Sequence, residues 1–188
     1  MKTRTKVVII NGTPMAGKDT FVDLATKYCD MDESANVLNL SSVDLIKEML
    51  YGFGWDGDKT NNIRDIISKI KQIWINAQNG PTMFLINNIM NFHQMHQMED
   101  NIVFCHIREP EEINKLCKAL VGFDAVGIDV MTLFIIRNTD DIDITSMIDA
   151  DNPDIISNYH YDMIINNDGD LVQFDEKVIE FINELLED

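Results

Sequence analysis

Five short apolar runs punctuate the chain, at Lys6–Asn11, Asn36–Leu40, Ile102–Ile107, Met131–Arg137 and Asp162–Asn166. Each is rich in β-branched or bulky residues, bounded by polar or turn residues, and apolar without alternation. That pattern predicts strands buried on both faces, as in a parallel sheet. Between them the apolar spacing lengthens to three and four, predicting helices over Asp19–Tyr28, Val43–Leu50, Asn61–Gln78, Glu111–Leu120 and Val172–Leu186. The last opens after Asp168-Gly169-Asp170 and repeats Phe174, Val178, Phe181 and Leu185 along one face. Strands alternating with helices predict an α/β fold in which helices cover both faces of a five-stranded parallel sheet.

The stretch 52–97 between the second and third strands is too long for a simple crossover and is expected to be a helical insertion that binds substrate. In it Ile63, Ile66, Ile67, Ile70 and Trp74 form one stripe, with Arg64 and Lys71 beside it. The stretch Asn138 to Ser157 carries six Asp and no Lys or Arg, and is expected to be a solvated, lid-like connection. At 188 residues the chain fits a single domain.

Charge narrows the partners. Thirty-two acidic against 15 basic side chains give a formal charge of −17, which opposes binding to nucleic acid, since phosphate neutralisation needs clustered Lys and Arg. No run is long and apolar enough to suggest a membrane span. Cys29, Cys105 and Cys117 form no C-x-x-C pair, and an unpaired set suits a reducing cytoplasm. Nothing in the pattern separates a monomer from a homodimer.

The sharpest chemistry follows the first strand, in Gly12-Thr13-Pro14-Met15-Ala16-Gly17-Lys18-Asp19-Thr20. Glycines between a strand and a helix let backbone amides converge on phosphate oxygens, and the helix N-terminus favours an anion there. Read in this way, the loop predicts a P-loop NTPase fold of three layers that binds a nucleoside triphosphate together with a metal ion. Lys18 is expected at the β- and γ-phosphates and Thr20 at the α-phosphate. Asp19 stands where Ser or Thr usually follows the lysine, so a carboxylate would replace the hydroxyl beside the metal.

Arginine is scarce: Arg4, Arg64, Arg108 and Arg137 against eleven lysines. Arg108 and Arg137 fall at the carboxyl ends of two predicted strands, the edge that faces the ligand crevice in open α/β sheets. Guanidinium groups there suit the charge of a transferring phosphoryl. Arg64 and Lys71 are candidates for an acceptor's phosphate, with solvated flank charges as the plainer alternative. Tyr51, Phe53 and Trp55 either stack a nucleobase or form an aromatic cluster, while the spacing of His93, His96 and Glu99 offers only a weak metal pattern.

The GKDT ending of the loop, Ile102-Val-Phe-Cys-His-Ile-Arg108-Glu-Pro-Glu-Glu-Ile113, Phe134-Ile-Ile-Arg137 and Tyr161-Asp-Met-Ile-Ile-Asn-Asn167-Asp-Gly169 together resemble the phage-type deoxynucleoside monophosphate kinases, relatives of adenylate kinase. The resemblance implies ATP, Mg²⁺ and transfer of the γ-phosphoryl to a nucleoside or deoxynucleoside monophosphate. It also implies that Asn166, Asn167 and Gly169 line the adenine ring, with Arg108 and Arg137 near the phosphates. Where such kinases often read Asp-x-Arg, this chain reads His106-Ile-Arg108, and no catalytic role is assigned to His106. The segment after Arg137, which carries lid arginines in adenylate kinase relatives, is acidic here. Alternatives on the same donor site are a dephospho-coenzyme A kinase or another metabolite kinase. A nucleotide-binding regulatory protein with little transfer is the reading from another class.

Overall fold

The computed structural model describes residues 4–58, 60–137 and 159–187. In chain order the elements are β1 (Thr5–Gly12), α1 (Lys18–Asp32), β2 (Asn36–Ser41), α2 (Asp44–Gly52), α3 (Asn61–Gln78), α4 (Gly80–Met95), β3 (Asn101–His106), α5 (Pro110–Leu120), a short 3₁₀ turn, β4 (Ile128–Ile136), β5 (Met163–Asn166) and α6 (Leu171–Glu187). The strands form one sheet in the order β2-β3-β1-β4-β5, parallel throughout. Strand β1 is therefore central, flanked by β3 and β4. The acidic connection Asn138–Ser157 lies outside the described residues.

Side-chain alternation divides the core between the two faces of the sheet. Val8 and Ile10 of β1 join Ile102 and Phe104 of β3 under α1 and α6, whereas Val7 and Ile9 join Val103 and Cys105 under α4 and α5. These are the helix, sheet and helix layers of a P-loop NTPase-like fold. Phe21 locks the first face. Its ring meets Phe104 edge-on at 6.1 Å, Phe181 at 5.3 Å and Phe174 at 6.0 Å, so one α1 residue ties β3 and α6 together.

The pattern reading gave no helix after Gln78, yet α4 runs for 16 residues and buries Leu85 and Ile89 against the sheet. Asn79, in the left-handed conformation at φ 49°, ends α3 and turns the chain directly into α4, with Pro81 in the first helical turn. Half of the 52–97 stretch thus builds a core layer. Helix α3 is the more peripheral element. Lys71 is its one buried residue, and Ile66 and Ile73 of its apolar positions remain exposed. Strand β4 also begins three residues earlier than the apolar run suggests, at Ile128.

Candidate functional site

Because every strand runs the same way, the carboxyl ends of all five lie on one edge. The loop Gly12–Gly17 leaves β1 at the middle of that edge and delivers the chain to α1. A Cβ on Gly12 would lie 2.1 Å from the Ile135 carbonyl oxygen, so only glycine lets the loop start this close to β4. Met15 at φ 57° and Gly17 at φ 91° are both left-handed, the type of backbone that makes amide-lined concavities for anions. No side chain caps the N-terminus of α1. Its first amides therefore stay available to an anion from solvent. Pro14 is half-buried, Met15 exposed and Ala16 buried.

Lys18 Nζ folds back over the loop and donates to the carbonyl oxygens of Gly12 and Thr13, at 2.9 Å each. The ammonium is thereby held at the mouth of the concavity. Asp19 and Thr20, on the first turn of α1, are exposed.

The two strand-end arginines stand on either side of this loop, each with its backbone hydrogen-bonded to it or to β1. The Asn11 amide donates to the Arg108 carbonyl at 2.9 Å, and the Arg137 amide donates to Thr13 Oγ1 at 3.3 Å. Both arginine side chains are exposed at the crevice edge. Asn11 also donates to the Tyr161 hydroxyl at 2.9 Å and accepts from the Gly12 amide at 2.8 Å. This buried asparagine, which sequence reasoning passed over, joins β1, the β3 turn and the chain entering β5. Its one signal was a polar residue closing an otherwise apolar run.

Asn167 and Gly169 lie beyond β5 on the same edge. Asn167 is buried, and its amide donates to the Ala16 carbonyl at 2.8 Å, so that group braces the loop. Asn166 is exposed, and its carbonyl accepts from Lys177 Nζ at 2.7 Å. Gly169 precedes Asp170, which exchanges hydrogen bonds with Gln173 at 2.9 and 3.3 Å in a reciprocal cap of α6.

On α3, Lys71 and Arg64 differ in surroundings. Lys71 is 5% exposed and forms an ion pair with Glu109, in the turn after Arg108. Arg64 is exposed, two turns or about 10 Å away along the helix axis. Glu109, unnoticed in the sequence as a partner of the insertion, ties α3 to the end of β3. Tyr51 and Trp55 stack on each other at 4.7 Å, and Phe53 is 80% exposed.

His106 closes β3. Burial pushes its imidazole pKa down to about 4, with Asp19 opposing that fall and Lys18 adding to it, so the ring is neutral at pH 7. Its Nε2 is buried without a hydrogen-bond partner. Among the described residues no group of three or more His, Cys, Asp or Glu is gathered to hold a metal. His93 instead shares a 2.8 Å hydrogen bond with Thr5, and His96 faces Glu99 at 3.4 Å. The loop's uncapped amides and Lys18 fit a nucleoside triphosphate. A divalent ion beside it fits the exposed Asp19 carboxylate and the orphaned imidazole nitrogen, with phosphates and water completing its shell. No described helix is long and apolar enough to cross a membrane.

No protein-family model matches the chain, and no curated protein matches it in sequence. Solved structures match its fold. APS kinase CysC of Mycobacterium tuberculosis, in complex with AMPPNP and APS, is 16% identical, with 99% of each chain covered and a TM-score of 0.52. Thymidylate kinase from Ehrlichia chaffeensis is 15% identical, with 95% of this chain and 99% of that one covered and a TM-score of 0.51. The chain has the fold of the P-loop kinases.

Proposed function

We propose that the protein is an ATP-dependent phosphotransferase whose acceptor is a phosphorylated small molecule, a nucleoside or deoxynucleoside monophosphate in the first instance. The observation that carries this reading is the pairing of Lys18 with the loop carbonyls while the backbones of Arg108 and Arg137 are fastened on either side of the same loop. One cation at a triphosphate site, flanked by two guanidinium groups, suits a reaction whose catalysis is positioning and charge stabilisation.

In this reading Gly12, Thr13, Pro14, Met15, Ala16 and Gly17 cradle the donor phosphates, Lys18 neutralises the β- and γ-phosphates, and Thr20 meets the α-phosphate. Asn166, Asn167 and Gly169 flank the adenine, with Asn167 acting mainly as a brace. Asp19 takes part in holding a divalent cation, Mg²⁺ in the simplest case, which supplies charge neutralisation of the phosphates. An acceptor phosphate oxygen attacks the γ-phosphorus, the bond to the β–γ bridging oxygen breaks, and ADP leaves. Arg108 and Arg137 stabilise the charge on the transferring group. Arg64 and Lys71 bind the acceptor, and Glu109 occupies Lys71 until the acceptor's phosphate exchanges with it.

These roles differ kinetically. Arg64→Ala should raise the acceptor KM about tenfold with kcat and ATP affinity nearly unchanged, whereas Arg137→Ala should lower kcat by roughly a hundredfold or more. Steady-state kinetics on both variants checks the split. Unaltered kinetics in Arg64→Ala for every acceptor would leave that residue as surface charge.

The reading itself is tested by screening acceptors with ATP and a divalent cation, following ADP release. Nucleoside and deoxynucleoside monophosphates, dephospho-coenzyme A and APS belong in the screen, the last because the chain is similar in fold to an APS kinase. Acceptor-dependent ADP release identifies the substrate class. ATP binding without transfer to any acceptor would favour a nucleotide-binding regulatory protein instead.

A further inference from the structure

Sheet alternation fixes where His106 belongs. Ile102 and Phe104 of β3 face α1, and His106 is the next residue of that alternation. Phe104 meets Phe21 of α1 edge-on. Two residues further along β3 and one turn back along α1 both lead toward the carboxyl edge, from Phe104 to His106 and from Phe21 to Lys18 and Asp19. The ring accordingly feels Asp19 first among charged groups, then Lys18, Lys47 and Asp44. His106 is in register with Ile10 on one side and Ser41 on the other, and its carbonyl accepts from the Ser42 amide at 3.1 Å. Nε2, by contrast, is shielded from solvent and has no hydrogen-bond partner. An unmatched buried polar group is costly, and a ligand at this edge would remove that cost.

P-loop enzymes hold their metal with a hydroxyl after the loop lysine and a carboxylate from a neighbouring strand. In this chain both places are altered, in opposite senses: Asp19 follows the lysine, and His106 closes the strand beside β1. The carboxylate has moved from strand to helix, and a neutral imidazole has taken the strand position. The site keeps one protein charge and exchanges an oxygen donor for a nitrogen donor.

We propose that Asp19 and His106 together hold the divalent cation of the bound nucleotide, and that the imidazole makes this site prefer a first-row transition ion such as Mn²⁺ or Co²⁺ over Mg²⁺. The inference rests on the donor-site reading above. Mg²⁺ takes oxygen ligands and parts reluctantly with water, whereas imidazole suits the transition ions. Two protein ligands suffice, because phosphate oxygens and water fill the other positions, in keeping with the lack of a larger cluster among the described residues.

The test is made on the unaltered protein first. With a non-hydrolysable ATP analogue and Mn²⁺, pulsed electron paramagnetic resonance should show imidazole nitrogen coupled to the ion. Calorimetry with preformed metal–nucleotide complexes should give at least tenfold tighter binding with Mn²⁺ or Co²⁺ than with Mg²⁺. In His106→Gln the nitrogen coupling should vanish and the preference shrink severalfold, while His106→Asp should shift it toward Mg²⁺. Nucleotide binding without nitrogen coupling and with no metal preference would overturn the proposal and leave the donor site standing. Failure to bind the nucleotide with any of the three ions would overturn both.

Discussion

Lys18→Ala is expected to abolish measurable ATP binding and to lower kcat/KM by roughly a thousandfold, the scale on which loss of one preorganised charge at a phosphoryl site is felt. The structural cost should be small. Lys18 gives up two hydrogen bonds to the Gly12 and Thr13 carbonyls, and both acceptors lie at the mouth of the loop, where water can replace the ammonium. Net values for such bonds are about 1 kcal/mol each, so the urea midpoint should move little. Calorimetry and a coupled assay read the function, and urea denaturation reads the fold. A variant that kept the parent's ATP affinity would remove the loop from the donor site.

Phe21→Ala is expected to destabilise the protein by about 3–5 kcal/mol, the usual cost of truncating a buried aromatic. Phe21 is fully buried and touches Phe104, Phe174 and Phe181, so its loss opens a cavity where α1, β3 and α6 meet. The three rings left around that space are fixed on β3 and α6 and cannot all close in on it. Since α1 also carries Lys18 and Asp19, nucleotide affinity should fall with stability, in contrast to Lys18→Ala. Urea unfolding followed by tryptophan fluorescence measures the first and calorimetry the second. A loss below about 1 kcal/mol would mean that the cluster repacks around the missing ring.

Much of this architecture can be read from the chain because a strand buried on both faces is a continuous apolar run. Val7 to Ile10 and Ile102 to Cys105 have no polar interruption, and the helices opposite them keep a clear three-to-four spacing. Helix α4 escaped for a physical reason. It is apolar on most sides, with Met83, Phe84, Leu85 and Ile86 in succession and Ile89 and Met90 after two asparagines, so periodicity gives little contrast. Gly80-Pro81, which begins it, also reads as a break when tertiary contacts are unknown.

The loop between β1 and α1 can be read from the chain because its parts are contiguous. Features built from distant residues cannot: the Lys71–Glu109 pair spans 38 positions, and the Asn11 bonds to Arg108 and Tyr161 span 97 and 150. Pairing cannot be read from spacing at those separations. His106 was conspicuous in the sequence only as a departure from a motif. Its place opposite the first turn of α1 depends on the β1–β3 register, and its orphaned nitrogen on the packing around it. Arg64 and Lys71 were grouped by helical spacing alone, whereas the fold buries one and exposes the other.

The central claim, that this loop delivers a γ-phosphoryl group to an acceptor, is tested most directly by following the group itself. ATP radiolabelled in its γ-phosphoryl is incubated with the protein, a divalent cation and each candidate acceptor, and the products are separated. The account predicts label in a phosphorylated acceptor, in an amount equal to the ADP formed and absent with Lys18→Ala. Label recovered only as inorganic phosphate, at a rate indifferent to every acceptor, would contradict it and make the protein an ATPase.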